Sequence, residues 1–353
     1  MATPLIEVQN LKTQFPLSEG IVEAVDGVSF HIDRGESLGI VGESGCGKSI
    51  TALSMLQVVP WPGRIVEGEI LYYGRSGSDP VDIAAMNPNG DQIRKLRGAE
   101  ISMIFQEPLS AFSPLYSIGN QMCEAMFLHR PGITAEEARA DAVRLLRDVG
   151  IPGAEKRVDS YPFQLSGGMR QRAMIAMALS CNPALLIADE PTTAIDVTIQ
   201  AQILDLLKRL QDEYGMAIMM ITHDLGVISE LCSRVVVMYL GEVVEIGTMD
   251  AVYGNPLHPY TQALMASIPE IGNRKDRLEA IPGSVPDPFQ RPAGCNFEPR
   301  CRRAHEVANR PVGKKPALIE AEPNHYVRCF LYTSKTKDQE NVHAGRTAAT
   351  PNS

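Results

Sequence analysis

At 353 residues the chain is long enough for a large core and one accessory domain. Its composition, 44% hydrophobic and 21% charged, is that of a globular protein, and a net charge of -9 offers no basic face of the kind nucleic acid requires. No apolar run approaches the roughly 20 residues that cross a bilayer as a helix, and Met1–Asn10 lacks the basic-then-apolar pattern of a signal peptide, so the expectation is a cytoplasmic protein that reaches a membrane only through partners.

Val28–Ile32 alternates apolar and polar residues, as a half-buried strand does. Ser37–Val41 is a short apolar strand that runs into Gly42-Glu43-Ser44-Gly45-Cys46-Gly47-Lys48-Ser49. This is the GxxxxGK[ST] pattern, and Thr51–Val59 continues after it as a helix. A glycine-rich turn between strand and helix lets the backbone wrap a phosphate and aim its N–H groups at it. The helix N-terminus adds positive potential. The expected ATP site is Gly42, Glu43, Ser44, Gly45, Cys46, Gly47, Lys48, Ser49 and the adjoining Ile50. Lys48 is expected at the β- and γ-phosphates, and the Ser49 hydroxyl on Mg2+.

Residues from about 107 to 170 read as mostly helical. Thr134-Ala135-Glu136-Glu137 fits a capping box. Ala138, Val143, Leu146 and Val149 give the following helix an apolar face, and Gly150 ends it. Leu165-Ser166-Gly167-Gly168-Met169-Arg170-Gln171-Arg172 is a second small-residue turn at a helix start, so it too can hold a phosphate.

Strand and helix alternate again from about 171. The apolar strand Ala184–Ala188 ends in two adjacent carboxylates, Asp189 and Glu190. A strand delivers its C-terminal residues to the sheet edge where ligands bind in α/β folds. There Asp189 can reach Mg2+, and Glu190 can act as general base on the attacking water. Ile199–Tyr214 reads as an amphipathic helix and Ala217–Thr222 as a strand. Val235–Tyr239 and Val243–Ile246 flank Leu240-Gly241-Glu242 as a hairpin. Buried strands alternating with helices predict an α/β core with a largely parallel sheet. Past 256 closely spaced prolines predict an irregular region, and Thr333–Ser353 has the composition of a disordered tail.

The segment Leu165–Arg172 resembles the LSGGQ signature of ABC ATPases, with Met169 where Gln is commonest. With the phosphate loop and the Asp189-Glu190 pair, the resemblance covers about residues 4–265. It implies an ABC-type P-loop ATPase: a RecA-like core, an N-terminal antiparallel β region, and a helical subdomain inserted at about 107–170. It also implies that Ser166, Gly167 and Gly168 hold the ATP of an opposing subunit. Gln106, in Phe105-Gln106-Glu107-Pro108, resembles the Q-loop glutamine that senses Mg2+ and water. Asp196 resembles the D-loop residue that couples the two sites, and His223 the H-loop histidine that holds the γ-phosphate and Glu190. Phe15 fits the aromatic that stacks on adenine. Taken singly these four are ordinary polar or core residues; their order along the chain gives them roles. In transporters of the family, the groove near the Q-loop receives a coupling helix from the membrane subunit.

Asn255-Pro256-Leu257-His258-Pro259-Tyr260-Thr261 resembles the NPxHPYT hallmark of oligopeptide/dipeptide (and nickel) importer ATPases, as do Ile281–Pro286 and Gly294–Cys301. The resemblance implies an ATPase domain over 1–255, a small irregular C-terminal extension over 256–332, and a tail over 333–353. It implies import of dipeptides or oligopeptides across a bacterial inner membrane, from a peripheral position on the cytoplasmic face. The alternatives are nickel or another small solute and, outside transport, a soluble ABC ATPase acting on DNA or ribosomes. Implied partners are two permease subunits, a second ATPase chain (identical or not), and an extracytoplasmic solute-binding protein. Nucleic acid is not among them. Members with four cysteines in the extension can hold an iron–sulfur cluster, which thiolates suit. Here Cys295, Cys301 and Cys329 match, but Ala308 stands at the third position in order. His305 lies four residues after Cys301, and three cysteines with one histidine would also suit zinc.

Overall fold

The computed structural model describes residues 3–75, 77, 79–106, 111–192, 197–267, 281–307, 311 and 313–333. The expectations placed on Glu107, Pro108, Asp196, Ala308 and the tail beyond Thr333 lie outside these residues.

The chain opens with a long hairpin, β1 (Ile6–Leu17) and β2 (Gly20–Ile32), closed at Leu17 and Gly20. The apolar strand β3 (Ser37–Val41) follows, with helix α1 (Lys48–Met55) immediately beyond the glycine-rich turn. β4 (Arg64–Tyr72) and β5 (Val81–Asp82) then join the hairpin in a four-stranded antiparallel sheet of order β2-β1-β4-β5. Helix α2 (Asp91–Leu96) leads to β6 (Ile101–Ile104).

Among the described residues the next stretch holds α3 (Ile118–His129), α4 (Ala135–Asp148), α5 (Ala154–Arg157) and α6 (Gly167–Ala178). The capping box at the start of α4 is present in both directions: Glu137 N–H donates to Thr134 Oγ1 at 3.2 Å, and Thr134 N–H to Glu137 Oε2 at 2.9 Å. Gly150, at φ 77°, stands just past its end. The buried row of α4 is Ala138, Ala142, Leu145 and Leu146, packed with Ile118, Met122 and Met126 of α3. Val143, expected on that face, is only partly buried, because spacings of three and four from Ala138 select 142 and 145 rather than 143.

The remaining elements are β7 (Leu185–Asp189), α7 (Val197–Tyr214), β8 (Ala217–Thr222), α8 (Leu225–Leu231), β9 (Arg234–Tyr239), β10 (Glu242–Thr248), α9 (Met249–Gly254), α10 (Pro259–Ala266), β11 (Ile319–Glu322) and β12 (His325–Val327). They complete an eight-stranded sheet of order β11-β12-β10-β9-β3-β8-β7-β6, parallel from β9 to β6. Both faces of this sheet are covered. Along β7, Leu186 and Ala188 enter the core shared with α3 and α4, whereas Leu185 and Ile187 enter the core shared with the antiparallel sheet. That is why the strand reads as an unbroken apolar run instead of an alternation.

The β9–β10 turn uses two residues, with Leu240 and Gly241 both at positive φ, 45° and 80°, as a tight hairpin turn requires. Between 281 and 318 the described chain holds only two short 3-10 turns. It then departs from the expected irregularity. β12 pairs with β10 (Glu245 with Val327, Ile246 with Tyr326), so β11 and β12 lengthen the core sheet. Strands of three and four residues carry too little periodicity to be read from sequence; they exist because β10 offers an edge. Among the described residues no helix is long and apolar enough to cross a membrane.

Candidate functional site

Four neighbouring parallel strands, β3, β8, β7 and β6, end on one edge of the sheet. Their registers pair Val41 with Thr222, Asp189 with Ile221, and Ile104 with Ala188, so the ends are nearly level. The residues that follow are therefore neighbours in space: Gly42–Ser49 after β3, Gln106 after β6, Glu190 after β7 and His223 after β8. This is the carboxyl edge at which α/β folds bind ligands.

The turn after β3 has the form of an anion cradle. Gly47 sits at φ 102°, and a Cβ there would lie 2.3 Å from the Ala24 carbonyl oxygen, so only glycine fits. Gly45, at φ 79°, has no atom within 4 Å of its Cβ position, which leaves open space on that side of the loop. Ser44 and Gly45 are exposed and Glu43 half-buried. Cys46 is buried, and burial pushes its thiol pKa up. Ile50 packs half-buried against the core under the antiparallel sheet. Lys48 is only 4% exposed, and its Nζ donates to the carbonyl oxygens of Gly42 at 2.7 Å and Glu43 at 3.1 Å. A buried ammonium held by two carbonyls of its own loop is positioned to exchange them for phosphate oxygens.

Ser49 Oγ donates to Asp189 Oδ1 at 3.0 Å. A hydroxyl and a carboxylate side by side form the hard oxygen pair that Mg2+ prefers, so these residues fit that ion. Burial raises the Asp189 carboxyl above the usual range, with the Ser49 hydrogen bond opposing it. Because the folded value exceeds the unfolded one, Asp189 favours the folded state at low pH, and that contribution is lost as pH rises through the folded value. A cation bound there competes with the proton. The acid limb of ATP turnover should therefore move to lower pH as Mg2+ is raised, measured as rate against pH at several Mg2+ concentrations. An acid limb indifferent to Mg2+ would remove Asp189 from the ligand set.

Glu190 is 9% exposed and adopts φ 47°, a left-handed conformation that side chains rarely take. Its N–H donates to the Ile221 carbonyl at 2.9 Å. Its carboxylate lies between two partners: Gln106 Nε2 donates to Oε2 at 3.0 Å, and His223 Nδ1 stands 3.3 Å from Oε1. Gln106, Glu190 and His223 are thus brought together.

The other expected residues fall elsewhere. Ser166 caps α6, accepting from Met169 N–H at 3.3 Å, and Ser166 and Gly167 are exposed. Among the described residues no hydrogen bond joins Ser166, Gly167 or Gly168 to the phosphate loop. Phe15, on β1, is half-buried with its ring against Gly63, where a Cβ would meet it at 2.5 Å. Cys295, Cys301 and Cys329 line one pocket of about 30 Å³ with Glu298 and Arg303, but His305 is exposed and not part of it. Burial pushes the Cys329 thiol up to about 12. Among the described residues no group of three or more Cys, His, Asp or Glu is arranged to hold a metal ion, so the iron–sulfur and zinc expectations do not fit these side chains.

Sequence reading overlooked three residues. Gln171, within the signature segment, is buried and donates to the Pro191 carbonyl at 2.7 Å, tying α6 to the turn after Glu190. Tyr260 and Arg300 both reach Glu43 of the phosphate loop. Tyr260 lies inside Asn255–Thr261 and Arg300 inside Gly294–Cys301, both recognised segments, but neither segment pointed to a contact with the phosphate loop.

Comparison with known proteins agrees with this geometry. The ABC transporter family matches residues 25–193, and the family described as oligopeptide/dipeptide transporter, C-terminal region, matches 244–307. The oligopeptide transport ATP-binding protein AppD of Bacillus subtilis (strain 168) is 48% identical over 336 residues, 95% of this chain and 99% of the relative. A solved ATP-binding cassette, a dimer in a post-hydrolysis state bound to ADP and Pi, superposes with a TM-score of 0.60 at 28% identity. The match covers 69% of this chain and 98% of that one. cbiO1 from Clostridium perfringens, part of an ABC transporter complex, gives 0.59 at 27% identity, covering 72% and 92%. With the phosphate loop, both carboxylates, Gln106 and His223 on one sheet edge, and a relative matched along nearly its whole length, the chain belongs to the ABC transporter family, among the ATP-binding subunits that carry the oligopeptide/dipeptide transporter C-terminal region.

Proposed function

We propose that the chain binds and hydrolyses ATP to drive import of dipeptides or oligopeptides across a bacterial inner membrane. The observation that carries the ATPase reading is the Glu190 carboxylate held between Gln106 and His223, one residue beyond Asp189 and its Ser49 partner. The peptide reading is supported by the match of residues 244–307 and by the likeness to an oligopeptide transport protein.

In this reading the phosphates of ATP lie along the amides of Gly42–Ser49 with Lys48 on the β- and γ-phosphates, and Phe15 stacks on adenine. Ser49, Asp189 and Gln106 hold Mg2+, which when bound neutralises phosphate charge. Glu190 accepts a proton from the attacking water, while His223 holds the carboxylate and the γ-phosphate in place. The exposed start of α6, unconnected to its own phosphate loop, supports Ser166, Gly167 and Gly168 completing the site of a second ATPase chain, with Asp196 coupling the two. Residues 1–255 then form the ATPase domain, with about 107–170 as its helical subdomain, and 256–332 the extension. Two permease subunits and, through them, a solute-binding protein complete the assembly, with this chain on the cytoplasmic face. Exposed Phe105, next to Gln106, and exposed Leu115 and Tyr116 supply apolar surface of the kind partners cover.

The test is a tagged chain recovered from gently solubilised membranes of its native host, together with uptake of labelled peptides in cells lacking it. Two polytopic permeases should copurify, and peptide uptake should stop. Loss of nickel uptake instead would reassign the solute. Ribosomes or nucleic-acid enzymes without membrane proteins would overturn the transport reading.

A further inference from the structure

The first turn of the phosphate loop is gripped from the far end of the chain, at Glu43. Its N–H donates to the Tyr260 hydroxyl at 2.9 Å. Its carboxylate receives both arms of the Arg300 guanidinium, Nη1 to Oε2 at 2.6 Å and Nη2 to Oε1 at 3.0 Å. Its carbonyl oxygen accepts from Lys48 Nζ. All three polar groups of one loop residue are thus engaged, two of them by residues 217 and 257 positions away.

Both partners are themselves fixed. His258 caps α10, its Nδ1 accepting from Tyr260 N–H at 3.0 Å, with Pro259 at the first helical position. Complete burial pushes the His258 pKa down to about 4, which leaves the ring neutral and Nδ1 able to accept. The N–H groups of Leu257 and His258 donate to the buried Glu245 carboxylate, each at 2.8 Å. The Asn255–Thr261 segment is therefore built to set the start of α10 and, with it, the Tyr260 ring, which packs on Tyr239 and Phe297. The Arg300 side chain is 4% exposed, lies over the rings of Tyr239 and Phe297, and donates Nε to the Pro282 carbonyl at 2.9 Å. A bidentate pair with a buried guanidinium, a half-buried carboxylate and its fork held on the third side is screened less than a fully exposed surface contact. The same region grips the flank of the loop. Lys315 Nζ stands 2.5 Å from both Asp26 and Glu242; Asp26 N–H donates to the Gly241 carbonyl, and Gly241 N–H to that of Cys46.

We propose that Tyr260 and Arg300 are positioning residues for ATP binding: the C-terminal extension clamps Glu43 and thereby sets the phosphate loop before nucleotide arrives. This rests on the reading of Gly42–Ser49 as the ATP cradle. A preset loop spends less binding energy on ordering itself, so nucleotide affinity, rather than the chemical step, depends on the clamp.

The test uses the full chain, with a fluorescent N-methylanthraniloyl ATP as probe and ATP as competitor, alongside turnover at saturating ATP and thermal unfolding. Tyr260→Phe keeps the ring and removes one hydroxyl, and should weaken ATP about 3- to 10-fold, the worth of one net hydrogen bond. Arg300→Met should weaken it about 10-fold or more, the worth of a charge-assisted pair. Turnover at saturation should stay within about twofold of wild type, because no reacting atom is touched. Glu43→Gln combined with Arg300→Met should be no weaker than the worse single variant, since both break one contact. Unchanged ATP affinity in Tyr260→Phe and Arg300→Met, whatever happens to thermal stability, would overturn the clamp and leave the contact a tether for the extension. A wild-type chain that fails to bind the probe would overturn the cradle reading and the clamp with it. Should Arg300→Met not fold, Tyr260→Phe alone decides.

Discussion

Glu190→Gln should bind ATP as the wild type does and hydrolyse it about 10²- to 10⁴-fold more slowly, the usual contribution of a positioned general base. The substitution isolates the chemistry. The amide has the shape of the carboxylate, its oxygen can still accept from Gln106 Nε2, and its NH2 can still face His223 Nδ1. What it loses is the capacity to take a proton from water. The left-handed backbone at φ 47° and the N–H bond to Ile221 are indifferent to the change, so the fold should be retained. Phosphate release and ATP titration on the same preparation are the measurements. Turnover within a few-fold of wild type would move the base elsewhere on this sheet edge.

Lys48→Ala should act on the other half of the site, weakening ATP binding by about 10- to 100-fold, the loss expected for a charge-assisted contact to phosphate in a poorly solvated setting. The ammonium is nearly fully buried at the start of α1 and is held by the carbonyls of Gly42 and Glu43. Removing it takes that donor from the Gly42 carbonyl, leaves the Glu43 carbonyl with the Cys46 N–H, and leaves the cradle without its cation. Calorimetric titration with ATP reads the result directly, and an affinity close to wild type would show that the backbone amides alone carry the phosphates. The two variants separate cleanly: one spares binding and stops chemistry, the other spares the base and loosens binding.

Much of this site is legible because its requirements are local. Gly47 is glycine because a Cβ would strike the Ala24 carbonyl, and Lys48 and Ser49 open the helix that begins directly after it. The strand that ends in Asp189 and Glu190 announces itself by an apolar run, and that run is unbroken only because both faces of the sheet are covered. Thr134 and Glu137 mark a helix start by a spacing that any chain segment can satisfy alone. Gln106 and His223 are different. Each is a common polar residue, and only the family's ordered motifs gave them a place; the Glu190 carboxylate between them is a product of strand order β8-β7-β6.

By itself, then, the sequence determined the elements whose causes lie within a few residues: the phosphate loop, the carboxylate strand, the capped helices and the β9–β10 turn. Tertiary structure alone decided which strand ends lie side by side, that β11 and β12 lengthen the core sheet, and that Tyr260 and Arg300 close on Glu43. The physical reason is separation. Backbone sterics and side-chain periodicity act over a turn or a strand and leave their mark on neighbouring residues, whereas an ion pair 257 positions apart is specified only by the packing that brings its ends together.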